Sequence, residues 1–259
     1  MEFFGNIARK TGNPNILRLE TEKMRRAADI GSSSGLFRVP AIRHFDASAG
    51  VLDSERIEGL IAIGAIIASR YEMTAELVDR AGRALASIHS DLSLTEDLAN
   101  PLPEPWAAST EETVFIHGDF TVTNVCVDID TGSLVIVDWS ATPLIEQVAT
   151  SGARTFDVQW FCLSLHMAAP WKQTFSWPAD ELCDRFLQAY VGEYGAKLDG
   201  RSWKQFRTET NRIARQIASI HVGARGRPAK FFKAILQRHL YRQWLSYRAP
   251  TDLLTAPRQ

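Results

Sequence analysis

The sequence predicts an α+β fold with a small mixed first part and a larger, mostly helical remainder. Three observations carry this. A helically spaced segment at 16–30 is followed by apolar runs bounded by Pro and Gly. A β-branched hairpin sequence ends near residue 139. Beyond it, four segments repeat apolar residues every three or four positions: 155–169, 179–194, 202–222 and 228–248.

The elements follow in order. ILRLETEKMRRAADI puts Ile16, Leu19, Lys23, Ala27 and Ile30 on one helical spacing, and GSSSG at 31–35 stops it. FRVPAIRHFD and AGVLDSERIEG read as two short strands with a turn near DASAG. These elements make residues 1–59 a small α+β unit and 60–259 the helical one. LIAIGAIIA at 60–68 reads as the buried part of a helix or of a connection between the two. EMTAELVDRAGRALASIHS, from residue 72, aligns Leu77, Ala81, Ala84, Leu85 and Ile88 on one face, and Pro101, Pro103 and Pro105 end the helical region. Residues 113–139 read as a loop and hairpin, VCVDIDTGSLVIV, with polar residues at its mouth. Pro178 and Pro228 fall near helix starts.

Bulk properties narrow the function. The 259 residues are enough for one large domain or two lobes with a buried core, and 45% hydrophobic with 23% charged residues is ordinary for a globular chain. Cys126, Cys162 and Cys183 form no CxxC pair, so neither a zinc site nor a disulfide framework is indicated, and a reducing, cytoplasmic setting fits. MEFFGNIARK lacks the pattern of a signal peptide, and the longest apolar run is well short of the ~20 residues that cross a bilayer. Charge is uneven: residues 1–200 carry a net −12 and residues 201–259 a net +11. The basic end interleaves cations with aromatics, as a nucleic-acid surface would. The helical spacing of Leu236, Leu240, Trp244 and Tyr247 instead reads as core, with the cations paired or solvated.

The chemistry concentrates in HGDFTVTN at 117–124 and LVIVDW at 134–139. Phosphoryl transfer from ATP needs a base for the acceptor hydroxyl, hard oxygen ligands for Mg²⁺, and a cation for the phosphates. His117, Asp119 and Asn124 share one loop, and Asp138 lies fourteen residues past Asn124. The intervening hairpin has the length to bring Asn124 and Asp138 to one end. A surface loop whose Asp and Asn cap turns is the bland alternative, and the hairpin with its Asp-Trp pair argues against it.

HGDFTVTN followed by IVDW resembles the aminoglycoside phosphotransferase and choline kinase-like family, and the likeness runs from about residue 7 to 170. TFDVQWFCLSL resembles the family's later Asp-containing helix start, RALASIHS its helix before the catalytic loop, and LDSERIEG its lobe-connecting segment. The resemblance implies a protein-kinase-like two-lobed fold and an ATP- and Mg²⁺-dependent small-molecule kinase. It implies Asp119 as catalytic base, Asn124 and Asp138 as Mg²⁺ ligands, His117 as a support of the loop and Asp157 as its anchor. Ser54 and Arg56 fall on the connecting segment whose backbone binds adenine. LRLETEKM resembles the helix with the family's ion-pairing Glu, at Glu20 with Glu22 as rival. The matching cation is Lys10, with Arg9 as substitute.

One departure stands out. The family has two strands and a nucleotide-covering loop before the lysine strand, whereas nine residues with one glycine, Gly5, precede Lys10 here. That is too short for a hairpin plus a strand, and a reduced lobe that binds ATP weakly is expected. A kinase-shaped binding protein without catalysis is the alternative. The partner is a small hydroxyl-bearing molecule, with no membrane, no nucleic acid and a homodimer left open. Residues 201–248 hold 12 basic residues and Glu209, while 179–199 offer Asp180, Glu181, Asp184, Glu193 and Asp199, so the acceptor's charge stays open.

Overall fold

The computed structural model describes residues 1–69, 73–104, 106–107, 113–140, 149–194, 208, 212 and 228–247. Among the described residues three sheets, of four, three and two strands, and a helical body make up the fold. The chain begins with β1 (Glu2–Phe4) and β2 (Ile7–Thr11), paired antiparallel with Phe4 opposite Ile7. As expected of so short a run, only one strand precedes the strand that carries Lys10, and Gly5 and Asn6 alone turn the chain between the two. Helix α1 (Pro14–Ser34) follows, then β3 (Ile42–Asp46) and β4 (Val51–Glu55). The four strands form one antiparallel sheet in the order β1-β2-β4-β3.

Helix α1 starts where the sequence allows it. The Asn13 side chain accepts from the Asn15 amide at 2.9 Å, and Pro14 occupies the first turn. It does not stop at Gly31. Ser33 donates back to the Asp29 carbonyl at 2.9 Å and stays helical, so the helix closes only at Gly35. Its buried face is also only partly the expected one. Leu17, Glu20, Thr21, Lys23, Met24, Ala27 and Ile30 point inward, while Ile16 is exposed and Leu19 only partly buried.

The second sheet is β5 (Leu60–Ala62), β7 (Val125–Asp128) and β8 (Ser133–Ile136), in that order and antiparallel, with a separate pair β6 (Thr113–Phe115) and β9 (Ser151–Ala153). A strap ties the first two sheets. Arg38 donates its amide to the Leu134 carbonyl at 2.8 Å and accepts from the Ile136 amide at 3.0 Å. Its guanidinium reaches Glu55 at 2.8 Å and Asp128 at 3.3 Å.

The run LIAIGAIIA divides into β5 and the short helix α2 (Ile63–Ala68). Helices α3 (Thr74–Asp91), α4 (Arg154–Ala168), α5 (Ala179–Tyr194) and α6 (Pro228–Tyr247) form the body. Leu77, Val78, Ala81, Ala84, Leu85 and Ile88 are all buried along α3, each large side chain contributing roughly 1.5–3 kcal/mol. Among the described side chains of α6 the buried ones are Gln237, Arg238, Tyr241, Trp244 and Leu245, while Leu236 and Leu240 are only partly covered. Trp244 is buried as expected, the positions expected at Leu236 and Leu240 are taken by their neighbours Gln237 and Tyr241, and the side chain of Tyr247 lies outside the description. The helix expected at 202–222 lies outside the described residues except at Thr208 and Arg212, both of which are helical. The three cysteines are free and buried, and no helix among the described residues is long and apolar enough to cross a membrane.

Candidate active site

The loop after β6 carries the first half of the site. Asp157, fully buried in the first turn of α4, accepts from the His117 amide at 2.7 Å and the Gly118 amide at 2.9 Å. His89 on α3 lies 3.2 Å from the same carboxylate, and Tyr190 holds the other ring nitrogen at 2.8 Å. Burial opposes the Asp157 charge, but His89 bonded to it and the nearby cationic groups hold its carboxyl below the usual range. Gly118 has φ 88°, where a side chain would be strained, and its missing Cβ would stand 3.1 Å from the Ala149 carbonyl.

The turn aims Asp119 into the cleft. Its Oδ1 accepts from the Trp160 indole at 2.7 Å and its Oδ2 from the Asn124 amide at 2.7 Å. Burial pushes the Asp119 carboxyl up to about 7 despite those two donors. His117 Nδ1 accepts from the Asp119 amide at 3.1 Å, and burial drives the imidazole down to about 4, so the ring is neutral at pH 7. Its ring centre lies 4.4 Å from that of fully buried Trp139.

The second half comes from the hairpin and β2. The Asn124 carbonyl accepts from the Val137 amide at 2.9 Å, which fixes the loop beside the residue preceding Asp138. Asp138 has φ 56°, a left-handed backbone that Asp tolerates better than most residues. Its carboxylate meets Lys10 Nζ at 3.0 Å and Ser140 Oγ at 2.6 Å. Lys10 also reaches Glu20 at 2.9 Å and Ser140 at 3.0 Å. Burial disfavours the Lys10 charge, yet the two carboxylates outweigh it and hold the ammonium above its usual range. For Glu20 burial wins over Lys10 and pushes the carboxyl up.

Both rivals are accounted for. Arg9 points to the other side of β2, where it grips Asp53 at 2.7 Å through two bonds. Glu22 pairs with Arg25 and Arg26 on the surface of α1.

A cleft of about 560 Å³ runs along these groups, lined by Lys10, Glu20, Asn124 and Asp138 together with Ser54, Arg56 and Ile57. Arg56 packs its guanidinium 5.0 Å from the Phe3 ring centre, and its amide donates to the Asn6 carbonyl at 2.8 Å, so the connecting segment supports the β1–β2 turn. A larger groove, about 740 Å³, lies outside α1 against β3 and contains none of the motif residues.

Trp160, His89 and Ser140 are part of this constellation and were not singled out by the sequence, and Lys23, which the sequence placed only on the spacing of α1, belongs to it too. Trp160 had a signal: it lies three residues after Asp157, on the same face of α4. Among the described residues no group of three or more His, Cys, Asp or Glu side chains is placed to hold a metal. The hard oxygens available are the Asp138 carboxylate and the Asn124 amide oxygen, left over when its NH₂ bonds to Asp119. That donor set fits a cation such as Mg²⁺, which keeps several waters and phosphate oxygens in its shell.

Known proteins share this fold. No curated protein matches the chain. Among solved structures, a choline/ethanolamine kinase family protein from Mesorhizobium loti superposes with a TM-score of 0.53 at 15% identity, covering 97% of this chain and 88% of that one. Glucosamine kinase gives 0.57 at 11%, covering 94% and 74%. A further structure of glucosamine kinase, in complex with glucosamine, ADP and inorganic phosphate, gives 0.50 at 12%, covering 86% and 72%. At such identities the likeness is one of fold. The model of APH, the phosphotransferase enzyme family, matches residues 90–207, a span that includes HGDFTVTN, the hairpin and Asp157. The family model thus matches a little under half of the chain, and the chain as a whole shares the protein-kinase-like α+β fold of those solved structures.

Proposed function

We propose that the protein is an ATP- and Mg²⁺-dependent phosphotransferase acting on a hydroxyl group of a small molecule. The observation that carries this reading is the convergence of Lys10, Glu20, Asn124 and Asp138 on one cleft, with Asp119 bonded to Asn124 at its edge. These residues come from β2, α1, the 117–124 loop and the end of β8, and a binding module has no need to assemble all of them.

Each group has a role that its contacts support. Asp119 accepts the proton of the acceptor hydroxyl, oriented by Trp160 and Asn124. Lys10, held by Glu20, grips the phosphates that are not transferred. The segment at Ser54–Ile57 lines the part of the cleft that takes the adenine. Asn124 and Asp138 would hold Mg²⁺, which supplies charge neutralisation of the phosphates. Glucosamine kinase, of the same fold, has been seen with ADP and glucosamine, which supports nucleotide use here.

The test is thermal unfolding with ATP, with and without Mg²⁺, followed by a screen of hydroxylated metabolites for ATP consumption. A ligand that binds only the folded chain raises its melting temperature. Mg²⁺-dependent protection by ATP and acceptor-dependent ADP release are expected. Protection without turnover across the panel would favour a kinase-shaped binding protein, and no protection at millimolar ATP would favour the degenerate, non-catalytic reading.

A further inference from the structure

Lys23 is a fully buried lysine on α1, three residues after Glu20. Its ammonium donates to the His117 carbonyl and, at 3.3 Å, to the Ala149 carbonyl. Among the described residues no carboxylate lies within ion-pair distance of it. Burying a cation is costly unless it is well bonded, and the neighbouring inward positions of α1 are apolar Met24 and Ala27. A methionine or leucine would fill the space at less electrostatic cost, so the ammonium is better explained by what it holds.

It holds the peptide that turns Asp119 into the cleft. The His117 carbonyl belongs to the His117–Gly118 peptide, and the same two residues are fixed from the other side by Asp157 through their amides. An added Cβ on Gly118 would stand 3.8 Å from Lys23 Nζ. The loop is therefore clamped between α4 below and α1 above.

We propose that Lys23 is a positioning residue that locks α1, the helix carrying Glu20, to the loop carrying Asp119, so that the phosphate-gripping and proton-accepting parts of the cleft keep one register. This rests on the roles proposed above for Lys10, Glu20 and Asp119. The ammonium makes charge-assisted bonds to both carbonyls, and the neutral amine would donate more weakly. Asp157 from α4, Glu20 from α1, Asp119 from the loop and Asp138 from the end of β8 all face it and favour its charge, while burial, the larger effect, lowers it to about 8.

Lys23→Met keeps an unbranched side chain one atom shorter and removes its donors. Amide hydrogen exchange at 117–119 should accelerate roughly tenfold or more while the interiors of α3 and α4 keep their protection. With an acceptor in hand, kcat should fall roughly tenfold while KM for ATP moves less than about threefold, and Lys23→Arg should recover part of both losses. Unchanged exchange at 117–119 in Lys23→Met would overturn the proposal, as would a kcat equal to wild type per folded molecule. Should Lys23→Met fail to fold, wild-type exchange at about pH 7 and about pH 9.5 decides. Corrected for intrinsic rates, protection at 117–119 should fall selectively as the ammonium loses its proton, with Asp119→Asn run in parallel to remove that carboxyl's titration. Constant protection would overturn it. The exchange measurements need neither nucleotide nor acceptor, so a chain that transfers no phosphate would defeat the proposed function and leave this test standing.

Discussion

Two adjacent basic side chains on β2 have opposite fates. Lys10 crosses to Glu20 and Asp138 in the cleft, and Arg9 turns to Asp53 on the other face of the sheet, because neighbours on a strand point to opposite sides. Their substitutions should separate accordingly. Lys10→Met removes a cation that would otherwise bond phosphate oxygens, contacts worth about 1.5–3 kcal/mol for charged partners. Calorimetry should show ATP binding weakened roughly ten- to hundredfold. Arg9→Gln should leave ATP affinity within about twofold and change only stability. Equal losses from both would mean that the cleft senses β2 as a whole and not the Lys10 ammonium. The spacing of HGDFTVTN and IVDW made Asp119, Asn124 and Asp138 legible, since those three lie in one continuous loop and hairpin. The partners of Asp119 and Asp157 were less so. Trp160 and His89 reach them from helices whose packing is not written in any local pattern.

Helix faces show where periodicity alone misleads. On α1 the expected Lys23, Ala27 and Ile30 are buried, but Ile16 and Leu19 give way to Leu17, Glu20 and Thr21, and the last two point inward for polar reasons that apolar spacing does not mark. The stripe on α6 departs in the same way, with Gln237 and Arg238 inside. The pairing of β6 with β9 joins segments far apart in sequence and left no signal in either three-residue strand. The contact between α3 and α5 can be tested directly. Gly82 lets the helices approach so closely that an added Cβ would stand 2.5 Å from the Phe186 carbonyl and 3.0 Å from the Tyr190 amide. Gly82→Ala gains up to about 1 kcal/mol of helix propensity but forces apart a packed pair, at about 1–3 kcal/mol. A melting temperature lower by several degrees is expected. Because Tyr190 also bonds His89, which bonds Asp157, the change should loosen the loop as well. An unchanged or higher melting temperature would show that α5 can shift freely.

For the whole molecule, two buried imidazoles set the acid limit of stability. Burial lowers His117 to about 4 and His166 to about 3, both below the unfolded value of 6.5. Between those values the unfolded chain binds more protons than the folded one, so stability is complete above pH 6.5 and falls as pH drops from 6.5 toward 4 and 3. The two groups account for up to about 3 and about 5 kcal/mol, at roughly 1.4 kcal/mol per pH unit. Asp119, raised to about 7, and Glu20, also raised, work the other way, because the folded chain takes up their protons before the unfolded chain does. In Asp119→Asn, which removes most of that offset, denaturant midpoints should therefore decline already between about pH 6.5 and about pH 5. A flat midpoint down to about pH 4.5 would mean that the imidazoles are charged and paired in the folded chain. The central claim, that this cleft moves a phosphoryl group with Asp119 as base, is tested most directly by comparing acceptor-dependent ADP formation in the wild-type chain and in Asp119→Asn, alongside ATP binding in both. The account predicts that the variant folds, binds ATP with Mg²⁺ as the wild type does, and turns over about 10²–10⁴ times more slowly. Wild-type turnover in Asp119→Asn would contradict it.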